Sequence, residues 1–228
     1  MHVPDGFLDL PTSIATGVVA AAGIAVALPV ARREATDDLK APMVGIVATL
    51  IFAAQMVNFP VGAGTSGHLM GGALAAVLVG PGTGVLCLSV VLIVQAFLFA
   101  DGGVTALGTN ITLIGIVTVL VGWAFFRGLM RVLPGGRATV VAASAVAAFV
   151  SVPAAAAVFA LLFAVGGTVA VPFDLLMTAM LGWHAVVGVG EAVVTGLVVS
   201  AVLATRPDLV YGARFVRPSR RVPEEARV

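Results

Sequence analysis

The first two residues carry three nitrogen donors, and a fourth stands farther along the chain. Met1-His2 offers the α-amine, the His2 backbone nitrogen once a metal displaces its proton, and the His2 ring Nδ1. Bound to one ion, these close adjacent chelate rings. One imidazole from elsewhere completes a planar four-nitrogen set, and His68, in Gly64-Thr65-Ser66-Gly67-His68, is the obvious donor. Planar nitrogen ligation suits Ni(II) or Cu(II), and imidazole also serves cobalt. Such binding must release protons: an ordinary α-amine titrates at about 7.7–8.0, and the ring and amide also lose or lack protons when ligated. Affinity is therefore expected to fall steeply as pH drops toward about 6.

Other residues could support that chemistry or compete with it. In Val3-Pro4-Asp5-Gly6, Pro4 fixes φ and Asp-Gly favours a tight reversal, which would fold residue 1 back toward the mouth of a bundle. Asp5 either caps that turn or supports the site. Asp101 and Asn110 bound a second loop, where capping and turn formation are expected, with both also in place to support the site. Glu191 lies in the middle of the last apolar run, where a carboxylate is costly and hence a functional candidate. His184, seven residues earlier, falls on nearly the same helix face and would extend a polar line for ions or protons. The plainer expectation is a neutral Glu191 hydrogen-bonded to a neighbouring polar side chain.

Composition says what must position these groups. Of 228 residues, 60% are hydrophobic and 10% charged, and the mean hydropathy is +1.14. Such values belong to a polytopic, all-α membrane protein. A net charge of +1 gives no reason to expect a nucleic-acid partner. Cys87 is the single cysteine, in an apolar run, and reads as a small core residue. Lys40 is the single lysine and no phosphate-binding loop surrounds it, so ATP hydrolysis by that route is not expected of this chain. No His-Glu-x-x-His supports zinc-protease chemistry.

The apolar runs predict helices over about 10–31, 42–60, 108–127, 139–166 and 174–204, with a broken pair, 68–81 and 84–100, hinged at Gly80-Pro81-Gly82. The 68–81 run is short for a crossing and reads either as a span with a sunken end or as half of a re-entrant hairpin. The first run is expected to be a retained helix, since Asp5 and Asp9 precede it and Arg32-Arg33 follow it. All 12 Lys and Arg residues fall in 32–40, in 127–137 or from Arg206 onward. Counted as seven crossings, these stretches share one side. The N-terminus, Met1, His2 and His68 are then expected outside and the C-terminus in the cytoplasm. The chain divides into a membrane domain, 1–205, and a basic, disordered tail, 206–228, near anionic lipid headgroups.

Several blocks resemble one family. They are Met-His-Val-Pro-Asp-Gly-Phe-Leu at the start, Asn58-Phe59-Pro60-Val61-Gly62-Ala63-Gly64-Thr65-Ser66-Gly67-His68-Leu69-Met70-Gly71-Gly72, Gly103-Val104-Thr105-Ala106-Leu107-Gly108-Thr109-Asn110, and Gly188-Val189-Gly190-Glu191-Ala192. They look like the substrate-binding membrane components, of CbiM and NikM type, of cobalt and nickel energy-coupling factor transporters. The resemblance runs from residue 1 to about 200 and departs after Asn110, where Ile-Thr-Leu-Ile-Gly replaces an expected aromatic residue and Asn. It implies a seven-helix bundle in the prokaryotic cell membrane with the N-terminus threaded into its outer centre. It also implies ligation of Co2+ or Ni2+ by Met1, His2 and His68, with Asp5, Asn58, Ser66, Asn110, His184 and Glu191 as candidate lining residues. ATP would act only through partners: an integral membrane scaffold subunit, cytoplasmic ATPases and a small accessory membrane subunit. Two rival readings use the same residues. Gly64-Thr65-Ser66-Gly67 fits the pattern of rhomboid-type intramembrane serine proteases, with His184 as base for Ser66. Glu191 and His184 could instead serve a proton-coupled secondary transporter.

Overall fold

A computed structural model describes residues 2–35, 40–62 and 65–216. Met1, and with it the terminal amine, lies outside the described residues, as does the 217–228 part of the tail. Helix α1 spans Leu10–Glu34 and α2 spans Lys40–Gln55. An antiparallel hairpin follows, β1 (Phe59–Gly62) and β2 (Thr65–Gly67). The short helix α3 covers Gly72–Val79, and α4 covers Pro81–Leu98. A continuous helical run is built from α5 (Leu107–Asn110), a π-helical stretch (Ile111–Val117) and α6 (Thr118–Val132). The long helices α7 (Arg137–Gly166) and α8 (Phe173–Thr205) complete the bundle.

Five helical runs are long and apolar enough to cross a bilayer: Leu10–Glu34, Pro81–Leu98, Leu107–Val132, Arg137–Gly166 and Phe173–Thr205. In lipid every backbone polar group must be satisfied within the protein, which is why the chain is helical wherever it faces outward. Apolar residues occupy both faces of these helices for two different reasons. In α1, Thr16, Ala20 and Ala27 face the core, where small side chains permit close packing, while Val18, Val26 and Leu28 point away from it.

The segment around α3 is fully buried and passes from one end of the bundle to the other. At one end, the Asn58 Nδ2 donates to Asp101 Oδ2 (3.1 Å), just past the end of α4. At the other, α4 begins beside the last residue of α1, where the Gly82 N–H donates to Glu34 Oε1 (3.1 Å). The stretch from Asn58 to Gly80 must therefore traverse the length of α4. It does so as a hairpin, a short strap and an eight-residue helix, so it is a crossing and not a hairpin that returns to its own side. The break falls at the expected glycine-proline hinge. Gly80 has φ +102°, a region that favours glycine, and Pro81 opens α4.

Two expectations are corrected. Helix α2 ends at Gln55, not near 60, because Pro60 lacks an N–H and disfavours helical geometry before it; β1 occupies that stretch. The tail from Arg206 is not wholly unstructured. Residues Pro207–Leu209 and Tyr211–Phe215 form 3-10 turns, and Tyr211 and Phe215 pack on Trp123 with ring centroids at 5.5 and 5.6 Å. Cys87 is buried and free.

Candidate metal site

The N-terminal segment is threaded into the bundle and held on both sides. The Val3 N–H donates to Asn110 Oδ1 (2.7 Å), and Asn110 Nδ2 donates back to the Val3 carbonyl (3.1 Å). The Gly103 N–H donates to that same carbonyl (2.9 Å). Asn110 is thus a two-point clamp on one peptide unit, made possible because its side chain carries an acceptor and a donor side by side. Asp5 Oδ1 accepts from the Thr105 hydroxyl (2.6 Å) and backbone N–H (2.7 Å), and these bonds hold its carboxyl below the usual range. Glycine is required at 103: a Cβ there would lie 2.4 Å from the Asp5 nitrogen.

The other flank comes from the loop after α7. The Thr168 N–H donates to the Phe7 carbonyl (3.2 Å) and the Asp9 N–H to the Gly166 carbonyl (2.7 Å). Phe7 inserts between Phe159 and Phe163, at 5.8 and 5.4 Å between centroids. Asp9 then caps α1 by accepting from the Thr12 N–H (2.9 Å). The expected reversal at Pro4-Asp5-Gly6 is present, with Gly6 at φ +73°.

This threading delivers His2 to His68. The two rings stack at 4.2 Å between centroids with 19° between planes. Both are buried. The His68 Nδ1 lies 2.7 Å from the Leu69 carbonyl. A carbonyl can only accept, so Nδ1 carries the proton and Nε2 presents its lone pair. That Nε2 is buried with no hydrogen-bond partner. His2 Nδ1 approaches Asp101 Oδ1 to 3.0 Å, but the angle is not that of a hydrogen bond, and neither ring nitrogen of His2 has such a partner. Burial pulls the His2 pKa below its ordinary value, and the nearby Asp101 only partly opposes this, so the site favours the neutral ring. Burial alone would raise Asp101, but its contacts with His2 and Asn58 outweigh that and hold it below the usual carboxylate range.

Further buried acceptors surround the pair. His184 Nδ1 donates to the Met180 carbonyl (2.8 Å), leaving Nε2 buried and unpaired. The Oε1 atoms of Gln55 and Gln95 are likewise buried without donors. Gln95 lies beside His2. Buried polar atoms are normally paired. A surplus of lone pairs without donors is an environment that favours a cation. Among the described residues no three His, Cys, Asp or Glu side chains form a metal cluster by themselves.

Glu191 and His184 are both buried on α8, and no hydrogen bond joins them among the described residues. The Glu191 Oε2 accepts from the Met70 N–H (2.8 Å) and its Oε1 from the Gly71 N–H (2.9 Å). Its partners are backbone donors, not the neighbouring polar side chain expected. Ser66 lies on β2, half-buried, and no hydrogen bond joins it to His184 among the described residues. Of the candidates, then, His2, His68, Asn58 and Asn110 converge. Asp5 secures the N-terminal segment through Thr105, Glu191 holds the backbone at Met70 and Gly71, His184 bonds the Met180 carbonyl, and Met1 is outside the described residues. Sequence reasoning missed Gln55 and Gln95, while Asp101, expected to form a turn or to support the site, lies against His2. The glutamines carried a signal, being amides set in apolar runs.

Residues 2–209 match the CbiM family, described as the cobalt uptake substrate-specific transmembrane region. The cobalt transport protein CbiM of Sorangium cellulosum is 33% identical over 223 residues, covering 95% of this chain and 97% of that protein. The fused nickel transport protein NikMN of Rhodobacter capsulatus is 32% identical, covering 94% of this chain and 65% of the fusion. A crystal structure of a truncated transition metal transporter superposes with a TM-score of 0.80 at 30% identity, over 90% of this chain and 99% of the other. The chain belongs to the CbiM family of membrane components for cobalt and nickel transport.

Proposed function

We propose that this chain captures Co2+ or Ni2+ at the outer face of the cell membrane for ATP-driven import. The ion is cargo. Its donors are the Met1 amine, the His2 amide and Nδ1, and the His68 ring. A scaffold subunit and cytoplasmic ATPases supply the energy, and a small accessory membrane subunit completes the assembly. The distribution of Lys and Arg supports an outer N-terminus and a cytoplasmic C-terminus.

The observation that carries this reading is the threaded N-terminus, which brings His2 against His68 while leaving His68 Nε2 buried and unpartnered. The residues fit a metal's demands in charge state as well. The site favours the neutral His2 ring, and the Leu69 carbonyl selects the His68 tautomer whose Nε2 can ligate. Lone pairs lie in the ring planes, so two stacked rings do not converge on one ion. Loading therefore requires one ring to turn out of the stack, and the deprotonated amide pulls His2 into the chelate plane. Four nitrogens in a plane favour nickel over cobalt.

The test is Ni(II) and Co(II) binding by the purified chain against a variant with Leu inserted between Met1 and His2. Tight one-to-one binding that the insertion abolishes is the expected result. Equal binding by both, or none by either, would remove the terminus from the site. The protease and proton-relay readings draw no support from a contact: His184 touches neither Ser66 nor Glu191 through a hydrogen bond among the described residues.

A further inference from the structure

The strap between His68 and α3 is four residues long in sequence, from His68 to Gly71, and is suspended from two distant helices. From α8, the Glu191 carboxylate accepts the Met70 and Gly71 N–H groups, at 2.8 and 2.9 Å, across 121 and 120 residues of sequence. From α2, Gln55 Nε2 donates to the Met70 carbonyl at 2.7 Å. The Met70 peptide groups are thus held from both sides by buried side chains. Gly71 has φ +79°, the left-handed region that glycine tolerates, and this turns two successive N–H groups toward one carboxylate. A Cβ at 71 would also meet Ile51 at 2.9 Å. The carboxylate faces the N-terminal end of α3, where the helix dipole favours negative charge.

We infer that Glu191 is a positioning residue for metal capture: it fixes the Met70-Gly71 backbone and so aims the His68 ring. This rests on the reading of His68 as the fourth nitrogen donor. A carboxylate is needed because both donors are N–H groups, and each requires an acceptor oxygen. An amide supplies one acceptor and turns its own N–H2 against the second donor. Gln55 is the weaker anchor, with one hydrogen bond to the strap.

The test compares the native chain, Glu191→Gln, Glu191→Ala and the Leu-inserted variant. Cu(II) visible and electron paramagnetic resonance spectra count nitrogen donors, Ni(II) titration gives affinity, and thermal melting confirms folding. The native chain is expected to show four nitrogens. Both Glu191 variants are expected to show three, the amine–amide–His2 set persisting with water in place of His68. Their Ni(II) affinity should drop about 10- to 100-fold. Loss of general stability alone would lower the melting temperature and leave the four-nitrogen signature in the bound fraction. Four nitrogens and affinity within about twofold of native in the Glu191 variants would overturn the positioning role while leaving the capture site intact. A native chain without the four-nitrogen signature would overturn the capture reading itself, and this inference with it. If neither Glu191 variant folds, Gln55→Met addresses the same strap. A smaller affinity loss with a disturbed nitrogen count is expected there, and an unchanged spectrum and affinity would overturn the inference.

Discussion

Two buried glutamates, one near each end of α3, accept backbone N–H groups from a remote part of the chain, yet they hold different things. Glu34, the last residue of α1, accepts the Gly82 N–H at 3.1 Å, and the Thr83 N–H and hydroxyl at 2.7 and 2.8 Å. These donors belong to the first turn of α4, whose N–H groups have no partner within the helix. Glu34 therefore caps a helix in the ordinary sense, with the carboxylate supplied by another helix. Glu191 accepts from Met70 and Gly71, which precede α3, so what it holds is the strap that carries His68. The same chemical device serves a helix end in one place and the strap that carries His68 in the other. A buried acid in an apolar helix thus indicates a bond to backbone. Its function depends on which stretch of backbone is bound.

The comparison can be broken most forcefully at Glu34. Glu34→Ala leaves two backbone donors and a hydroxyl without their acceptor, and unfolding free energy is expected to fall by about 3 kcal/mol. Chemical denaturation reads this, and the Ni(II) affinity of the folded fraction should be native. A large affinity loss there would mean that the two glutamates do not divide their roles. Asn110→Ala comes next. It removes both hydrogen bonds to Val3, each worth about 0.5–1.5 kcal/mol, so unfolding free energy should fall by about 2 kcal/mol and calorimetry should show Ni(II) binding weakened by roughly 30-fold.

Acidification sharpens the contrast further. The pKa of His2 is lowered in the folded chain, so the unfolded state binds its proton more readily. The stabilisation from a neutral His2 is full above the ordinary value of about 6.5 and is lost as pH falls through that value toward the lowered one. Hydrogen exchange at Val3 should therefore rise below about pH 6.5, while the α4 first turn at Gly82 and Thr83 stays protected. Exchange rising equally at both places would show that the two ends are not separate units. The smallest effect is expected from Tyr211→Phe, which removes a hydroxyl beside Glu34. It should cost under about 1 kcal/mol of stability and leave Ni(II) titrations unchanged.

Much of this arrangement could be read from the chain alone, for identifiable reasons. Apolar runs of about 20 residues have few alternatives to membrane helices. The pair His2 and His68 was visible because both fall on the side without lysine or arginine, and Pro4-Asp5-Gly6 announced the reversal between His2 and α1. The purpose of Glu191 was hidden because its partners are N–H groups, which every residue but proline carries. Only the left-handed Gly71 shows where two of them point the same way. The strand β1 was concealed because Met56, Val57 and Phe59 continue the apolar run of α2, and Pro60 marked where that run could no longer be helix. That Asp101 would meet His2 in particular was not legible, because the contact spans 99 positions.

These separations also bear on how the protein is made. Val3 meets Asn110, Leu8 meets Gly167, and the strap carrying His68 waits for Glu191. During synthesis the first ligand emerges at the start, yet its clamp arrives after about half of the chain and the anchor for its partner only with the final helix. Contacts so distant in sequence form late. On the proposed capture reading, a partly made chain has the donors but not their alignment, and competence to seize a metal would follow only once the last helix has inserted.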